Sequence, residues 1–242
     1  MKRERVDVLL VARGLCESRE TARRLVLAGE VRSGGVPVAK PGTRLAADAP
    51  LEVAEKPRFV GRGGLKLEAA LDAFAIGVAG RACLDIGAST GGFTDCLLQR
   101  GAARVHAVDV GTNQLAWKLR CDPRVVVREQ CNARRLTVGE LGERVSLVVA
   151  DVSFISLTLV LPAAFGVLEE GGEVVCLVKP QFELARGDIG KGGIVRDRRL
   201  HERAVERVRR CVIGELHRAW RGVIDSPITG ADGNREFLAW LG

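Results

Sequence analysis

The sequence predicts an α/β protein, in which a domain with a mainly parallel seven-stranded sheet follows a small α+β domain. In the later part of the chain, short apolar runs alternate with helical patterns, as in parallel sheets that are covered by helices on both faces. In the first part, two short helical patterns precede short strand-like runs separated by Gly and Pro turns. We therefore predict domains at 1–58 and 65–242, joined by a Gly-rich linker at 59–64.

The composition supports a folded core and an anionic partner. Of the 242 residues, 47% are hydrophobic, which is enough for a sizeable core. The net charge is +7, and residues 1–58 contribute +4 of it, with twelve Lys and Arg against eight Asp and Glu. This basic first quarter favours a polyanion such as nucleic acid. Aromatic residues make up only 4%, which argues against a broad stacking platform.

The cysteines and histidines predict neither disulfides nor a metal site. The seven Cys form no C-x-x-C pair and their number is odd, so we expect reduced thiols in a cytoplasmic protein. The three His are scattered through the chain, and we expect no metal. Because the first residues are charged and no apolar run approaches a membrane span in length, we expect no signal peptide and no membrane partner.

The small domain is predicted to contain two helices and three short strands. The first helix spans 5–13, and the second runs to Ala28 with Ser18 as its N-cap. Strands are predicted at 31–33, 36–38 and 51–53.

Basic side chains on the second helix are candidate contacts to RNA phosphates. Arg19 and Arg23 lie one helical turn apart, and Arg24 is adjacent to Arg23. Together with Lys40 they could hold phosphates, while the shape of a folded RNA supplies selectivity. A solvated helix face without a ligand is the alternative.

The larger domain is predicted from its alternation of strands and helices. Strands are expected at 82–86, 105–110, 125–128, 146–151, 173–178, 220–225 and 235–241. Helices are expected at 65–73, 94–100, 114–120, 157–168 and 198–215. Strands with few polar residues, separated by helices, indicate a sheet buried on both faces.

A Gly-rich turn after the first of these strands predicts a nucleotide-type cofactor site. The stretch from Leu84 to Asp95 reads as a buried strand, a turn and a helix, and ligands bind at the carboxyl ends of such strands. A dinucleotide fingerprint would carry a second Gly where Ser89 stands, which disfavours a nicotinamide cofactor. Asp85 before the turn and Asp109 after the next strand suit the cationic, phosphate-free S-adenosylmethionine.

The predicted cofactor contacts share a position at a strand end or in this turn. They are Asp85, Gly87, Ser89, Gly91, Gly92, Asp109, Asn132 and Asp151. Asp109 is placed to hold ribose hydroxyls, and Asn132 to meet the adenine. A tight turn without a ligand is the alternative.

Two lysines and two acids are candidate catalytic residues. Asp151 ends the fourth strand and Lys179 the fifth, so both lie at the same edge of the sheet as the Gly-rich turn. Glu236 begins the last strand, and Lys66 follows the linker. A partly desolvated lysine can accept a proton from a ribose hydroxyl, whose oxygen then attacks a methyl group. A set of surface salt bridges is the alternative.

Two sets of motifs, one in each predicted domain, carry a family resemblance. The first set is Arg5-Val-Asp7, Arg13-Gly-Leu15, Ser18-Arg19, Ala22, Gly29-Glu-Val31 and Lys40-Pro-Gly42. The second set is Arg62-Gly-Gly-Leu-Lys66-Leu-Glu68, 85–94, 150–156, 178–183 and 233–237. In these motifs, and over nearly its whole length, the chain resembles the TlyA family of ribosomal RNA cytidine 2′-O-methyltransferases, also called the hemolysin A family. The first set resembles the family's N-terminal alpha-L RNA-binding domain, and the second resembles its catalytic motifs.

The resemblance implies a Rossmann-like methyltransferase domain similar to the FtsJ-type enzymes. The Lys-Asp-Lys-Glu tetrad of those enzymes falls on Lys66, Asp151, Lys179 and Glu236. The implied activity is S-adenosylmethionine-dependent 2′-O-methylation of a cytidine in ribosomal RNA, in the large subunit and in some relatives also in the small subunit. Arg5 and Arg62 join the expected RNA contacts, and no obligate protein partner is evident.

Two departures and two alternative functions accompany the resemblance. Gly61 stands where a Ser is expected, and the compact ends of the chain favour the large-subunit cytidine. A non-catalytic ribosome-assembly factor on the same scaffold would be indicated by a mutated glycine turn or a missing lysine, and neither is present. A membrane-lytic hemolysin is disfavoured because the helical patterns carry charge throughout.

Overall fold

The computed structural model describes residues 3–54, 57–230 and 232–242, which form two compact units, Met1–Pro57 and Arg58–Gly242. Glu55 and Lys56, which open the charged stretch before the predicted linker, lie outside the described residues. Residues 59–62 are bends and a turn of the second unit, and its first helix begins at Gly63. Within the described ranges, no helix is long and apolar enough to cross a membrane.

The first unit contains two short helices and two small antiparallel sheets. Its elements are β1 (Arg3–Arg5), α1 (Val6–Ala12), α2 (Arg19–Leu27), β2 (Val31–Ser33), β3 (Val36–Pro37), β4 (Arg44–Ala46) and β5 (Glu52–Val53). β1 pairs with β4, and β2 lies between β3 and β5. Apolar side chains from both helices and β2 form its core, with Leu10, Ala22 and Val31 completely buried. The sequence analysis missed β1 and β4 because each is three residues long and carries arginines.

The second unit is built on one sheet. Its strands are β6 (Ala82–Ile86), β7 (Arg104–Val108), β8 (Val125–Arg128), β9 (Val145–Ala150), β10 (Leu168–Val178), β11 (Trp220–Asp225) and β12 (Phe237–Leu241). Its helices are α3 (Gly63–Ala73), α4 (Gly92–Gln99), α5 (Trp117–Arg120), α6 (Val138–Leu141), α7 (Leu161–Gly166), α8 (Pro180–Glu183) and α9 (Arg198–Arg210).

The sheet order is β11-β12-β10-β9-β6-β7-β8, and β12 runs antiparallel to both of its neighbours. The other pairings are parallel, so the prediction of a mainly parallel seven-stranded sheet is confirmed. From the central β6 the chain moves outward through β7 and β8, and then returns to β9 on the other side. A crevice forms where the direction of winding reverses, at the carboxyl end of β6.

Alternating residues of the strands feed two core layers, one on each face of the sheet. Leu84 and Val148 point to one layer, whereas Cys83 and Leu147 point to the other. Side chains alternate along a strand, so a strand buried on both faces must be apolar throughout. The helices α3 and α4 cover one layer, and α7 and α9 cover the other.

The prediction of one helix over 157–168 is wrong. The structure has a 3-10 turn at Leu157–Leu159, the short helix α7 and then β10, which begins at Leu168. Pro162 explains the break, because proline lacks an N–H group and its ring clashes with the carbonyl four residues earlier. At the other long helix, α9 ends at Arg210 and residues 211–215 form a π-helical turn.

We predict that Gly64→Ala lowers the free energy of unfolding of the second unit by about 1–3 kcal/mol. A Cβ at Gly64 would overlap the ring of the buried Phe59, so α3 or the segment before it must move. Urea unfolding checks this. Gly166→Ala in α7 is the matched control, because nothing lies within 4 Å of its added Cβ. Equal stability of the two variants would contradict the prediction.

Candidate active site

The Gly-rich turn between β6 and α4 packs too closely against its surroundings to accept side chains. Gly87 has φ +84, and a Cβ there would overlap the carbonyl oxygen of Asp151. Gly91 has φ +96, and its Cβ would lie 2.7 Å from a methyl group of Leu115. A Cβ at Gly92 would lie 2.9 Å from the amide nitrogen of Gly64. These glycines bring the turn against β9 and α3.

Two adjoining cavities border this turn. The smaller encloses about 310 Å³ and lies between the carboxyl ends of β6, β7 and β9. The larger encloses about 480 Å³ and reaches toward α3 and the start of β12. Gly87, Ser89 and Asp151 line both, so one ligand can extend from the first cavity into the second.

Five of the predicted cofactor residues line the smaller cavity, namely Gly87, Ser89, Asp109, Asn132 and Asp151. Asp109 accepts hydrogen bonds from the amides of Ser89, at 2.8 Å, and Gly111, at 2.7 Å. Ser89 itself has φ +47, an uncommon conformation for a residue with a side chain. The Asp109 carboxylate thus fixes the turn and keeps lone pairs for a ligand.

Asp85 and Gly91 do not line either cavity. Asp85 is completely buried beneath the turn, where its Oδ2 accepts a hydrogen bond from the Thr94 hydroxyl at 2.7 Å. Burial, assisted by the negative charges of Asp151 and Asp109, raises the pKa of Asp85 to about 7. Its other oxygen has no hydrogen-bond partner among the described residues. Asp85 therefore supports the turn from below. Gly91 allows the turn to pack closely against Leu115 and does not contact a ligand in either cavity.

The smaller cavity fits the nucleoside part of S-adenosylmethionine. Asp109 offers an acceptor for hydroxyl groups. Asn132 offers amide N–H donors, since its oxygen already accepts from the amide of Arg134 at 3.2 Å. Val110, Val152 and Ile155 offer apolar surface for a flat base. The carboxylate of Asp109 also suits a cationic ligand. In the described part of the chain, no cluster of three or more His, Cys, Asp and Glu could hold a metal ion.

The four predicted catalytic residues meet in the larger cavity as two ion pairs. Lys66 Nζ lies 2.5 Å from Glu236 Oε2, and both residues are buried. Lys179 Nζ lies 2.6 Å from Asp151 Oδ1 and donates a hydrogen bond to Ser153 Oγ at 2.9 Å. Charges this sheltered from water interact strongly with each other and with a bound ligand.

Each of the four residues comes from a different element. Lys66 is on α3, Asp151 and Lys179 directly follow β9 and β10, and Glu236 precedes β12. Pro180 begins α8 and confines Lys179 to an extended conformation at the strand end. The sheet order explains the meeting, since β9, β10 and β12 are neighbours.

Buried polar residues that the sequence analysis did not single out hold these loops in place. Glu183 accepts hydrogen bonds from Ser156 Oγ at 2.5 Å and from the amide of Leu157 at 2.8 Å. It therefore ties the loop after Asp151 to the helix after Lys179. Asn234, which lies two residues before Glu236, accepts a hydrogen bond from the amide of Val195 at 2.9 Å. Glu183 and Asn234 both lie inside the motifs that resemble the family's catalytic motifs. Their position in these motifs was the signal in the sequence that could have identified them.

Phe154 is the other residue that sequence reasoning missed. Its side chain is 92% exposed at the rim of the smaller cavity, and its φ of +62 is unusual for an aromatic residue. The ring lies 5.2 Å from that of Phe182. An exposed aromatic residue in this backbone conformation beside a cavity is a candidate binding residue.

The structure separates the predicted RNA contacts into sets. Arg62 lines the larger cavity of the second unit. In the first unit, Arg5 and Arg19 both contact the buried Asp7, and Arg23 and Lys40 are exposed. Arg24 instead borders a groove that also contains Glu17 and Glu30.

Comparison with known proteins identifies both units. Residues 59–242 match the family model described as FtsJ-like methyltransferase. The chain belongs to the FtsJ-like methyltransferase family. Residues 4–49 of this methyltransferase match the S4 domain, so the predicted small RNA-binding domain is confirmed.

Full-length relatives share the same two parts. The 16S/23S rRNA (cytidine-2′-O)-methyltransferase TlyA of Mycobacterium tuberculosis is 53% identical over 242 residues, covering 99% of this chain and 90% of the relative. Hemolysin A of Brachyspira hyodysenteriae is 44% identical over 240 residues, covering 97% and 98%. A solved structure from Streptococcus thermophilus, provisionally named a hemolysin, is 49% identical with a TM-score of 0.75, covering 100% of this chain and 88% of that one.

The predicted family and the methyltransferase class are thereby confirmed. The hemolysin names belong to the same family of proteins.

We predict that Asp85→Asn makes this FtsJ-like methyltransferase more stable at pH 8 by about 2–4 kcal/mol, since one pKa unit corresponds to about 1.4 kcal/mol. With a folded-state pKa of about 7, Asp85 holds a proton that the unfolded chain has lost above about pH 4. Raising the pH through this window therefore lowers the free energy of unfolding of the wild type.

Urea unfolding between pH 4 and 8 measures the effect, which should vanish at the acid end. Glu170→Gln, which removes an exposed acid of β10, is the control and should follow the wild type at every pH. Loss of stability in Asp85→Asn at pH 8 would show that the ionised carboxylate is required.

Proposed function

We propose that this protein transfers a methyl group from S-adenosylmethionine to the 2′-oxygen of a cytidine in large-subunit ribosomal RNA, with small-subunit RNA as a second substrate to be tested. The observation that carries the proposal is the meeting of the Lys66–Glu236 and Lys179–Asp151 pairs in a cavity that adjoins the cofactor cavity. The relative from Mycobacterium tuberculosis, whose name states this reaction on 16S and 23S rRNA, supports it.

S-adenosylmethionine supplies a methyl group that is made electrophilic by its sulfonium. Asp109 would hold ribose hydroxyls and Asn132 the adenine. The backbone of Gly87 and Ser89, which lines both cavities, would border the part of the cofactor that reaches the larger one.

Lys179 is proposed to move the proton. Lys179 first releases its ammonium proton to solvent, so that its neutral Nζ accepts the proton of the 2′-hydroxyl as the 2′-oxygen takes up the methyl group. Lys179 is then again an ammonium, beside a cofactor that has become a neutral thioether. Asp151 and Ser153 hold this nitrogen in place at 2.6 and 2.9 Å. The buried Lys66–Glu236 pair, which lines the same cavity, is proposed to orient the ribose.

The RNA is proposed to be held by the S4 domain and by Phe154. The exposed arginines of the S4 domain contact phosphates, which carry most of the affinity. Phe154 stacks on a base beside the target, which leaves the ribose free to enter the larger cavity. Since the proposed substrate is ribosomal RNA, we propose that the protein acts in the cytoplasm.

The deciding experiment uses purified protein, tritiated S-adenosylmethionine and separated ribosomal subunits that lack the modification. Label in 2′-O-methylcytidine supports the proposal, and the labelled subunit defines the substrate range. If the protein binds cofactor but labels neither subunits nor free rRNA, the assembly-factor alternative replaces it.

We predict that Lys179→Ala lowers the methylation rate by about 10²–10⁴-fold, because it removes the proton acceptor. Cofactor binding, measured by calorimetry, should stay within about twofold. Lys179→Arg is the sharper control, since it keeps the positive charge but cannot give up its own proton at neutral pH. An active Lys179→Arg variant would contradict the role of Lys179 in proton transfer.

For Phe154→Ala we predict a rise in KM for the ribosomal subunit of about 5- to 100-fold, the range that corresponds to losing one base stack. Phe154→Trp should retain a low KM because it keeps an aromatic face. Because Phe154 also borders the smaller cavity, calorimetry with S-adenosylmethionine tests whether its side chain contacts the cofactor and not the RNA. Weaker cofactor binding with an unchanged KM for the subunit would assign Phe154 to the cofactor instead.

A further inference from the structure

One acid in the S4 domain is buried although the domain is basic. Asp7 is completely buried in the first turn of α1. Arg5 donates two hydrogen bonds to it, from Nε and Nη2, both at 2.9 Å. Arg19 at the start of α2 donates a third, from Nη2 at 3.3 Å. A single carboxylate thus holds two guanidinium groups from separate elements.

Arg5 and Arg19 differ from Arg13, whose guanidinium is bound to the backbone of its own unit. Arg13 directs its guanidinium to the backbone oxygens of Ala47 and Ala49. Arg5 and Arg19 have side chains that are 45% and 61% exposed, and each keeps donors that Asp7 does not use. The core of the unit is apolar and is supplied by other residues.

We propose that Asp7 is a positioning residue, which fixes Arg5 and Arg19 as a preformed site for RNA phosphate groups. The inference rests on the proposed action on ribosomal RNA and names residues through which that RNA is held. Arg5 also packs against Gly42, where an added Cβ would lie 3.5 Å from Nη1. The turn that carries Lys40 therefore adjoins the pair.

The physical gain is preorganisation. A free arginine loses its side-chain freedom when it grips a phosphate, whereas a guanidinium already held by a carboxylate loses less. The two arginines hold the pKa of Asp7 below its usual range, with the hydrogen bonds from Arg5 contributing most. Asp7 therefore stays ionised at neutral pH and keeps its ion pairs with Arg5 and Arg19.

For the substitution Asp7→Asn, a pure effect of charge and a loss of positioning predict opposite changes in RNA affinity. Asp7→Asn removes a negative charge, so charge alone would tighten binding to a polyanion. Positioning predicts weaker binding, because an amide oxygen holds a guanidinium less firmly than a carboxylate does. Glu20→Gln makes the same change of charge on α2, at an exposed acid that contacts neither Arg5 nor Arg19.

The test measures binding of the full-length protein to deproteinised 23S rRNA that lacks the modification, by filter binding. We expect Asp7→Asn to weaken binding about 3- to 10-fold, and Glu20→Gln to leave it unchanged or slightly tighter. Equal behaviour of the two variants would overturn the proposal. Arg5→Met combined with Arg19→Met should abolish any further effect of Asp7→Asn, and an effect that persists in that background would also overturn it.

Two further measurements keep the outcome decisive. If circular dichroism shows that Asp7→Asn does not fold, Arg19→Met is compared with Arg23→Met, which removes the same charge from an arginine that Asp7 does not hold. Arg19→Met must then weaken binding more, and equal losses refute the role of Asp7. If the wild type binds no 23S rRNA, the proposed function fails. If the wild type binds and Asp7→Asn binds equally well, only the role of Asp7 fails.

Discussion

The close approach of Gly87 to the end of β9 is the constraint on which the site depends. The amide of Asp151 donates a hydrogen bond to the carbonyl of Ile86 at 2.9 Å, and Gly87, which follows β6, has no room for a Cβ beside Asp151. This contact joins the turn that borders the cofactor cavity to the residue that pairs with Lys179. Any side chain at Gly87 would collide with the backbone of Asp151 and displace the turn that lines both cavities.

Burial sorts the charges of the second unit by what they can do. Asp85, sealed beneath the turn, acts on its neighbours and has no access to a ligand. The Lys66–Glu236 pair is buried at the wall of the larger cavity, and the Lys179–Asp151 pair is less buried. Because each lysine faces one carboxylate, the two pairs balance in charge, and Arg62 adds one positive charge to the lining of the larger cavity.

Much of this arrangement could be predicted from the sequence, because the carboxyl ends of parallel strands share one edge of the sheet. That rule brought Asp109, Asp151 and Lys179 together without knowledge of the strand order. The partner of Lys66 could not be derived in this way, since it depends on β12 entering between β10 and β11. The depth of Asp85 was equally hidden, because one residue of a strand decides whether a side chain faces a cavity or the core.

The pairing of Lys66 with Glu236 spans 170 residues of sequence, and Glu236 directly precedes β12, which is synthesised after the other six strands. During translation, therefore, the cofactor turn and three of the four tetrad residues are made before the fourth. The chain emerging from a ribosome can acquire its nucleotide pocket early, yet its catalytic wall closes only when β12 is inserted. Assembly of the catalytic tetrad thus depends on the docking of β12 into the sheet.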